Sequence, residues 1–283
     1  MTELAVTPER IAAFASALRA EERLPSTVDK YVRDVGRFAE WLGGSPVSRE
    51  TAVLYKDELS AGHAAATVNA MIAAINKFFS VMGREDCRVK PLKQQRRVFR
   101  EAGRELSREE YARLLAAASA MGRERTALVM ETLCATGIRV SELRFITVEA
   151  VRAGRAEVRL KGKIREILIP ERLRKALLKY AKKKRTASGE IFLTRNGNAL
   201  SRKQIWAEMK AVCESAGVER SKVFPHNLRH LFARAFYSLT HDVAKLADVL
   251  GHSSIETTRI YLISTGEEHV RLLNRLSLVL ATE

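Results

Sequence analysis

The chain has 283 residues, 46% of them hydrophobic and 29% charged, which suits a soluble globular protein with one large domain or two smaller ones. No run approaches the roughly eighteen apolar residues of a membrane span, and MTELAVTPERIAAF reads as no secretory leader, so the expected compartment is the cytoplasm. The net charge of +16 is concentrated: 88–104 nets +6 and 152–185 nets +11, which points to a polyanion, and to nucleic acid over a membrane surface because neither segment carries a broad aromatic amphipathic face.

Residues 7–83 read as helical. Thr7 is a predicted N-cap with Pro8 at the first helical position, opening a helix over 8–19. A second begins at Ser26 and sets Val28, Tyr31, Val35, Phe38, Ala39 and Leu42 at helical spacing. A third covers 49–60 behind Ser48. A fourth covers 67–82, with Val68, Met71, Ile72, Ile75, Phe78 and Phe79 on one face. Short connections predict a bundle, with Tyr31, Phe38, Trp41, Phe78 and Phe79 in its core. The periodicity then fades into a basic stretch containing Pro91 and Gly103. The expected division is a helical DNA-binding domain over 1–86, a basic linker over 87–105 that lies along DNA, and a second domain over 106–283.

The second domain opens at a capping box, Ser107 with Glu110, leading a helix to Ala118. A strongly apolar helix over 123–136 ends at Gly137, and a short one starts at Ser141. Segments 155–160 and 164–169 alternate apolar and polar residues around Lys161-Gly162-Lys163, which predicts a β-hairpin. Helices are predicted again over 171–184, 201–216, 227–239, 243–250 and 255–261. A final one over 267–280 repeats Val270, Leu273, Leu276 and Leu280 on one side. Three scattered cysteines without a CxxC pair indicate neither a disulfide framework nor a zinc site; Cys134 and Cys213 read as small buried apolar groups.

Six residues in this half carry chemistry: Arg139, Lys161, His226, Arg229, His252 and Tyr261, in the contexts ATGIRVSEL, RLKGKIRE, PHNLRH, LGH and TTRIY. Each alone has an ordinary reading, as a surface cation, a helix cap or half-buried core. Together they supply cations, histidines and a phenol, the inventory for tyrosine attack on a phosphodiester. His230 is expected to pack or cap elsewhere on its helix. HExxH, Walker A and GxSxG signatures are absent, and no acidic cluster suggests a two-metal nuclease.

The strings ATGIRVSEL, HNLRH and LGHSSIETTRIY, in this order and spacing, resemble the tyrosine recombinases, or phage-type integrases. STVDKYVRDVGRFAEWL and ATVNAMIAAINKFF resemble the core-binding domain of that family, so the likeness spans nearly the whole chain. It implies a mainly α fold with a small β-sheet: a helical, SAM-like core-binding domain followed by an α+β catalytic domain. It implies that Arg139 and Arg229 clamp the phosphate oxygens and that His252 adds a third donor. Tyr261 is then the nucleophile, His226 assists its proton, and Lys161 protonates the 5′ oxygen, with Lys163 as the alternative lysine. The product is a 3′-phosphotyrosyl intermediate, formed without metal or cofactor. The implied partners are double-stranded DNA sites and three further protomers. The tetramer is joined through the C-terminal helix, whose docking in cis or in trans stays open. A Xer-like simple recombinase fits, serving dimer resolution, excision or integration. The alternatives are DNA relaxation of the type IB topoisomerase kind and a non-catalytic DNA-binding regulator.

Overall fold

The computed structural model describes residues 4–93, 104–160, 163–252, 254–261 and 266–276. The chain divides into two compact units, Met1–Arg96 and Arg97–Glu283.

In the first unit, Thr7 accepts a hydrogen bond from the Arg10 N–H and Pro8 occupies the first turn of α1 (Pro8–Ala20). Helix α2 (Pro25–Leu42) starts one residue before the predicted Ser26, because Pro25 takes the position that needs no N–H. Ser48 and Thr51 cap each other at the start of α3 (Arg49–Gly62), and α4 (Ala65–Val81) completes the bundle. Val28, Val35 and Phe38 of α2 meet Ile72, Ile75 and Phe79 of α4, with Phe14 and Leu18 of α1 in the same core. The Phe14 and Phe78 rings meet edge to face at 5.4 Å. Trp41, expected in the core, sits at its rim, where its indole N–H donates to Glu58 at 2.6 Å.

Beyond α4 a 3₁₀ turn (Glu85–Cys87) leads the chain back along the helix. The side-chain amides of Asn76 and Asn69 each exchange two hydrogen bonds with the main chain, at Val89 and Leu92 respectively. An amide both donates and accepts, so it serves as a strand neighbour would. Residues 94–103 of the predicted linker lie outside the described residues.

The second unit starts with α5 (Arg108–Ala120), whose Ser107–Glu110 capping box forms as the sequence predicts. Helix α6 (Glu124–Thr136) is buried on most of its circumference, including Leu128, Val129, Met130 and Leu133, as its nearly continuous apolar run requires. A 3₁₀ helix (Val140–Phe145) follows, then α7 (Val148–Ala153), which the apolar pattern did not announce because it is little more than one turn long. Strands β1 (Arg155–Leu160) and β2 (Lys163–Leu168) pair antiparallel with Leu160 opposite Lys163. Ala156, Val158 and Ile167 face the core, whereas Ile164 and Leu168 face outward at 67% and 71% exposure. Arg165 therefore shares the inward face with Ile167, the reverse of what an apolar-inside alternation predicts.

Helix α8 (Glu171–Lys183) is amphipathic, but its apolar side, Leu173, Leu177 and Tyr180, is buried in the core. Its outer face carries Arg172, Lys175, Lys179, Lys182 and Lys183. Helix α9 (Arg202–Lys210) gives way to turns before the predicted 216, with Val212 and Cys213 still buried. Helices α10 (Pro225–Thr240), α11 (Val243–Leu250), α12 (Ile255–Arg259) and α13 (Gly266–Arg275) complete the unit. Val270, Leu273 and Leu276 are all exposed. Among the described residues no helix is long and apolar enough to cross a membrane.

Candidate active site

Five of the six predicted residues converge in the second unit. Arg229 lies at their centre. It projects from the first turns of α10 and is 1% exposed, yet it keeps its charge because almost every donor finds an oxygen or nitrogen. One terminal nitrogen donates to the Gly137 carbonyl. The other reaches the Leu250 carbonyl at 2.9 Å and the His252 Nε2 at 2.8 Å. Its Nε–H points to the Tyr261 hydroxyl at 3.4 Å. One side chain thus joins the end of α6, the end of α11 and the residues flanking α12.

Arg139 stands just past the end of α6. Gly137 turns the chain there at φ +63°, and a Cβ on it would collide with the Phe232 ring. The Arg139 side chain stays 46% exposed, so it faces solvent where Arg229 does not. It is aimed by Glu142, which accepts from the Arg139 main-chain N–H at 2.7 Å and from its guanidinium at 3.1 Å. Glu142 is itself 2% exposed. Its second cation is Arg165 of β2, at 2.5 Å. Arg165 also donates to the Val249 carbonyl at 3.0 Å, and it lies so close over Gly251 that a Cβ there would strike it. The hairpin is thereby fastened to the loop that presents His252.

Neither Glu142 nor Arg165 was singled out from the sequence. Glu142 carried a readable signal, since it lies three residues after Arg139, where a carboxylate can accept the main-chain N–H of the residue ahead of a helical turn. Arg165 carried none, because an arginine in an exposed-looking hairpin is indistinguishable from its basic neighbours.

Tyr261 is 2% exposed and packs with Ala233, Leu246 and Leu250. Its ring stacks on His252 with centroids 5.7 Å apart. His230 touches it edge-on at 4.5 Å, nearer than His226 at 5.9 Å. His230, expected to point elsewhere on its helix, instead packs against the predicted nucleophile and against the His226 ring at 4.6 Å, because α10 turns both histidines to the same side. Removal from water, then the charges of Arg229 and Arg139, hold the His226 imidazole below its ordinary pKa. The same causes, with Arg165 added, bring His252 down to about 4. Both rings are therefore neutral near pH 7. His252 is held on its other side by Thr258, with Nδ1 2.8 Å from the threonine Oγ1.

Arg139, His226 and Arg229 line a groove of about 870 Å³, together with Arg202, Lys203 and the half-exposed Trp206 of α9. Such a groove offers converging positive charge to an anion along an aromatic wall. Lys161 lies outside the described residues; Lys163 is the first residue of β2.

Residues 104–268 match the family profile described as the phage integrase family, and residues 11–86 match the phage integrase N-terminal SAM-like domain. The chain belongs to the phage integrase family. The family is that of the tyrosine recombinases, enzymes of DNA cleavage and strand transfer, and this settles the activity class against a topoisomerase or an inert regulator. The recombinase is 31% identical over 273 residues to tyrosine recombinase XerA of Thermococcus kodakarensis, covering 93% of each chain. It is 31% identical to tyrosine recombinase XerC of Roseiflexus castenholzii, covering 89% of this chain and 88% of that one. Among solved structures, a lambda integrase tetramer bound to a Holliday junction superposes with a TM-score of 0.73 at 17% identity, covering 89% of this chain and 76% of that one. XerH bound to its difH substrate superposes with a TM-score of 0.68 at 19% identity, covering 95% and 84%. These two likenesses concern the fold: a helical SAM-like domain ahead of a mainly α catalytic domain with a small sheet.

Proposed function

We propose that this recombinase cleaves DNA with Tyr261 as nucleophile, in the site gathered around Arg229. The observation that carries the reading is the hydrogen bond from Arg229 to the Tyr261 hydroxyl, with His252 on the same guanidinium. A phosphodiester repels nucleophiles and leaves poorly. Arg139, exposed and aimed by Glu142, and Arg229 bind its non-bridging oxygens through charge-assisted bonds. His252 donates to an oxygen as negative charge builds. The attacking phenol must lose its proton, and neutral His226 accepts it. Lys161, with Lys163 as the alternative, returns a proton to the 5′ oxygen. The products are a 3′-phosphotyrosine and a free 5′-hydroxyl, and attack by a 5′-hydroxyl from a second duplex completes exchange.

Its partners are two double-stranded DNA sites and three further copies of the chain, held through the C-terminal helix. The lambda integrase structure is a tetramer on a Holliday junction. Here the exposed Val270, Leu273 and Leu276 supply an apolar contact surface. The domain division of 1–86, 87–105 and 106–283 is our working scheme. Its three free cysteines suit the reducing cytoplasm we assign to it.

Covalent trapping on fragmented genomic DNA tests the chemistry. The wild type is expected to leave a protein–DNA adduct and Tyr261→Phe none, although it still binds. An adduct with Tyr261→Phe would remove Tyr261 from its role. A substrate with a 5′ sulfur leaving group is expected to rescue Lys161→Ala. Rescue of Lys163→Ala alone would transfer that role to Lys163.

A further inference from the structure

His252 has one partner on each ring nitrogen, and the partners differ in kind. Nε2 faces an Arg229 terminal nitrogen at 2.8 Å, and Nδ1 faces the Thr258 hydroxyl at 2.8 Å. A guanidinium has donors and no acceptor. Nε2 must therefore present its lone pair to Arg229, and the neutral ring carries its proton on Nδ1, donating to Thr258 Oγ1. This is the wrong tautomer for the role proposed above. To hold a phosphate oxygen, His252 needs its N–H on Nε2, the nitrogen beside Arg229.

Two routes lead to that state. One adds a second proton to the ring. Arg229, Arg139, Arg165 and His226 all face His252 and oppose it. The other keeps the ring neutral and moves its proton: Nδ1 gives one to water, Nε2 takes one from water, and the net proton count is unchanged. Nδ1 then needs a donor. A hydroxyl is both acceptor and donor, so Thr258 serves the ring in either tautomer by turning its O–H. A side chain limited to one of those capacities would lock it. Thr258 is fully buried and holds its hydroxyl against Nδ1. Its main-chain carbonyl also accepts the Tyr261 N–H at 3.0 Å, which ties the same residue to the nucleophile.

We propose that Thr258 is a positioning residue whose hydroxyl lets His252 exchange tautomers, accepting from Nδ1 in the free enzyme and donating to Nδ1 once a phosphate oxygen occupies Nε2. The proposal rests on the reading of His252 as a phosphate donor. In the free enzyme the arrangement keeps the histidine paired with Arg229, and an arriving phosphate exchanges that contact for two of its own.

Nitrogen-15 NMR of histidine-labelled full-length Tyr261→Phe tests it, with the duplex recovered by covalent trapping as the probe. His252 is expected as a neutral Nδ1–H ring in the free protein and as an Nε2–H ring in the complex. In the Tyr261 background, Thr258→Val is expected to slow single-turnover cleavage by about tenfold or more while leaving the duplex Kd within about twofold. Thr258→Ser is expected to restore cleavage. An Nε2–H ring in the free protein overturns the proposal, and so does an unchanged tautomer on DNA; neither measurement requires the valine variant to fold. Wild-type cleavage by Thr258→Val beside impaired His252→Ala overturns the role of Thr258 alone. Wild-type cleavage by His252→Ala overturns the reading of His252 and this proposal with it.

Discussion

Arg229 and Glu142 show how single buried charges organise this site. Arg229 is tolerated at 1% exposure because its bonds reach acceptors from three separate stretches of chain. Glu142 holds one exposed arginine and one nearly buried one, with side-chain exposures of 46% for Arg139 and 14% for Arg165. Removing the carboxylate leaves Arg165 with an uncompensated charge in a poorly hydrated place. Glu142→Ala is therefore expected to cost on the order of 3 kcal/mol in urea denaturation, and to cut cleavage because Arg139 is no longer aimed. Stability unchanged in that variant would show that water replaces the carboxylate. The spacing of Glu142 from Arg139 was visible along the chain, and its partnership with Arg165 was not. The two residues are 23 apart in sequence, and only the fold of the hairpin brings them together.

Among the elements, the hairpin does more than the alternation of its residues suggested. β2 turns Ile164 and Leu168 outward and Arg165 inward, because Glu142 and the Val249 carbonyl compensate the guanidinium for its missing water. The strand next to the predicted catalytic lysine is thereby pinned to the loop of His252. Gly251 makes the close approach possible: it sits at φ +64°, and a Cβ would strike Arg165. Gly251→Ala is expected to destabilise the protein by about 1–2 kcal/mol and to lower the cleavage rate more than DNA affinity, as read by single-turnover kinetics and gel shift. An equal reduction of both would place the effect in DNA binding instead. Helices with strong caps, such as α1, α3 and α5, were legible within a few residues because their start signals are local, and α6 because its apolar run ends at Gly137. Helix α7 was not, since one turn gives the apolar period too little length to register.

At the level of the whole molecule, charge and assembly are the open levers. The outer face of α8 concentrates exposed lysines while its apolar side is buried, and beyond the pairs of Lys183 with Glu124 and Lys175 with Glu171 it keeps a positive excess to meet phosphates. DNA affinity is expected to fall steeply with salt. Replacing Lys182, Lys183 and Lys184 by alanine is expected to make the slope of log K against log salt shallower, by roughly one for each phosphate no longer neutralised. An unchanged slope would move the DNA footprint elsewhere. Truncation after Ser264 removes Val270, Leu273 and Leu276. It is expected to leave monomeric cleavage chemistry intact and to abolish the four-protomer complex in sedimentation on paired sites. Failure of the monomer to fold would instead assign the helix to its own chain.

The sequence by itself determined which residues could do chemistry and, within a few residues, where the longer helices lie. Caps, apolar periods and charge runs act within a few positions, and the motifs around Arg139, Arg229, His252 and Tyr261 are contiguous strings. Only the tertiary structure decided how those groups are held. The pairing of Arg165 with Glu142, the bonds from Arg229 to Gly137 and Leu250, and the choice of Thr258 over solvent for His252 all join groups through packing rather than spacing. A buried charge or imidazole takes whichever partner the fold leaves within reach, and that reach is set by the packing of α6, α10, α11 and the hairpin.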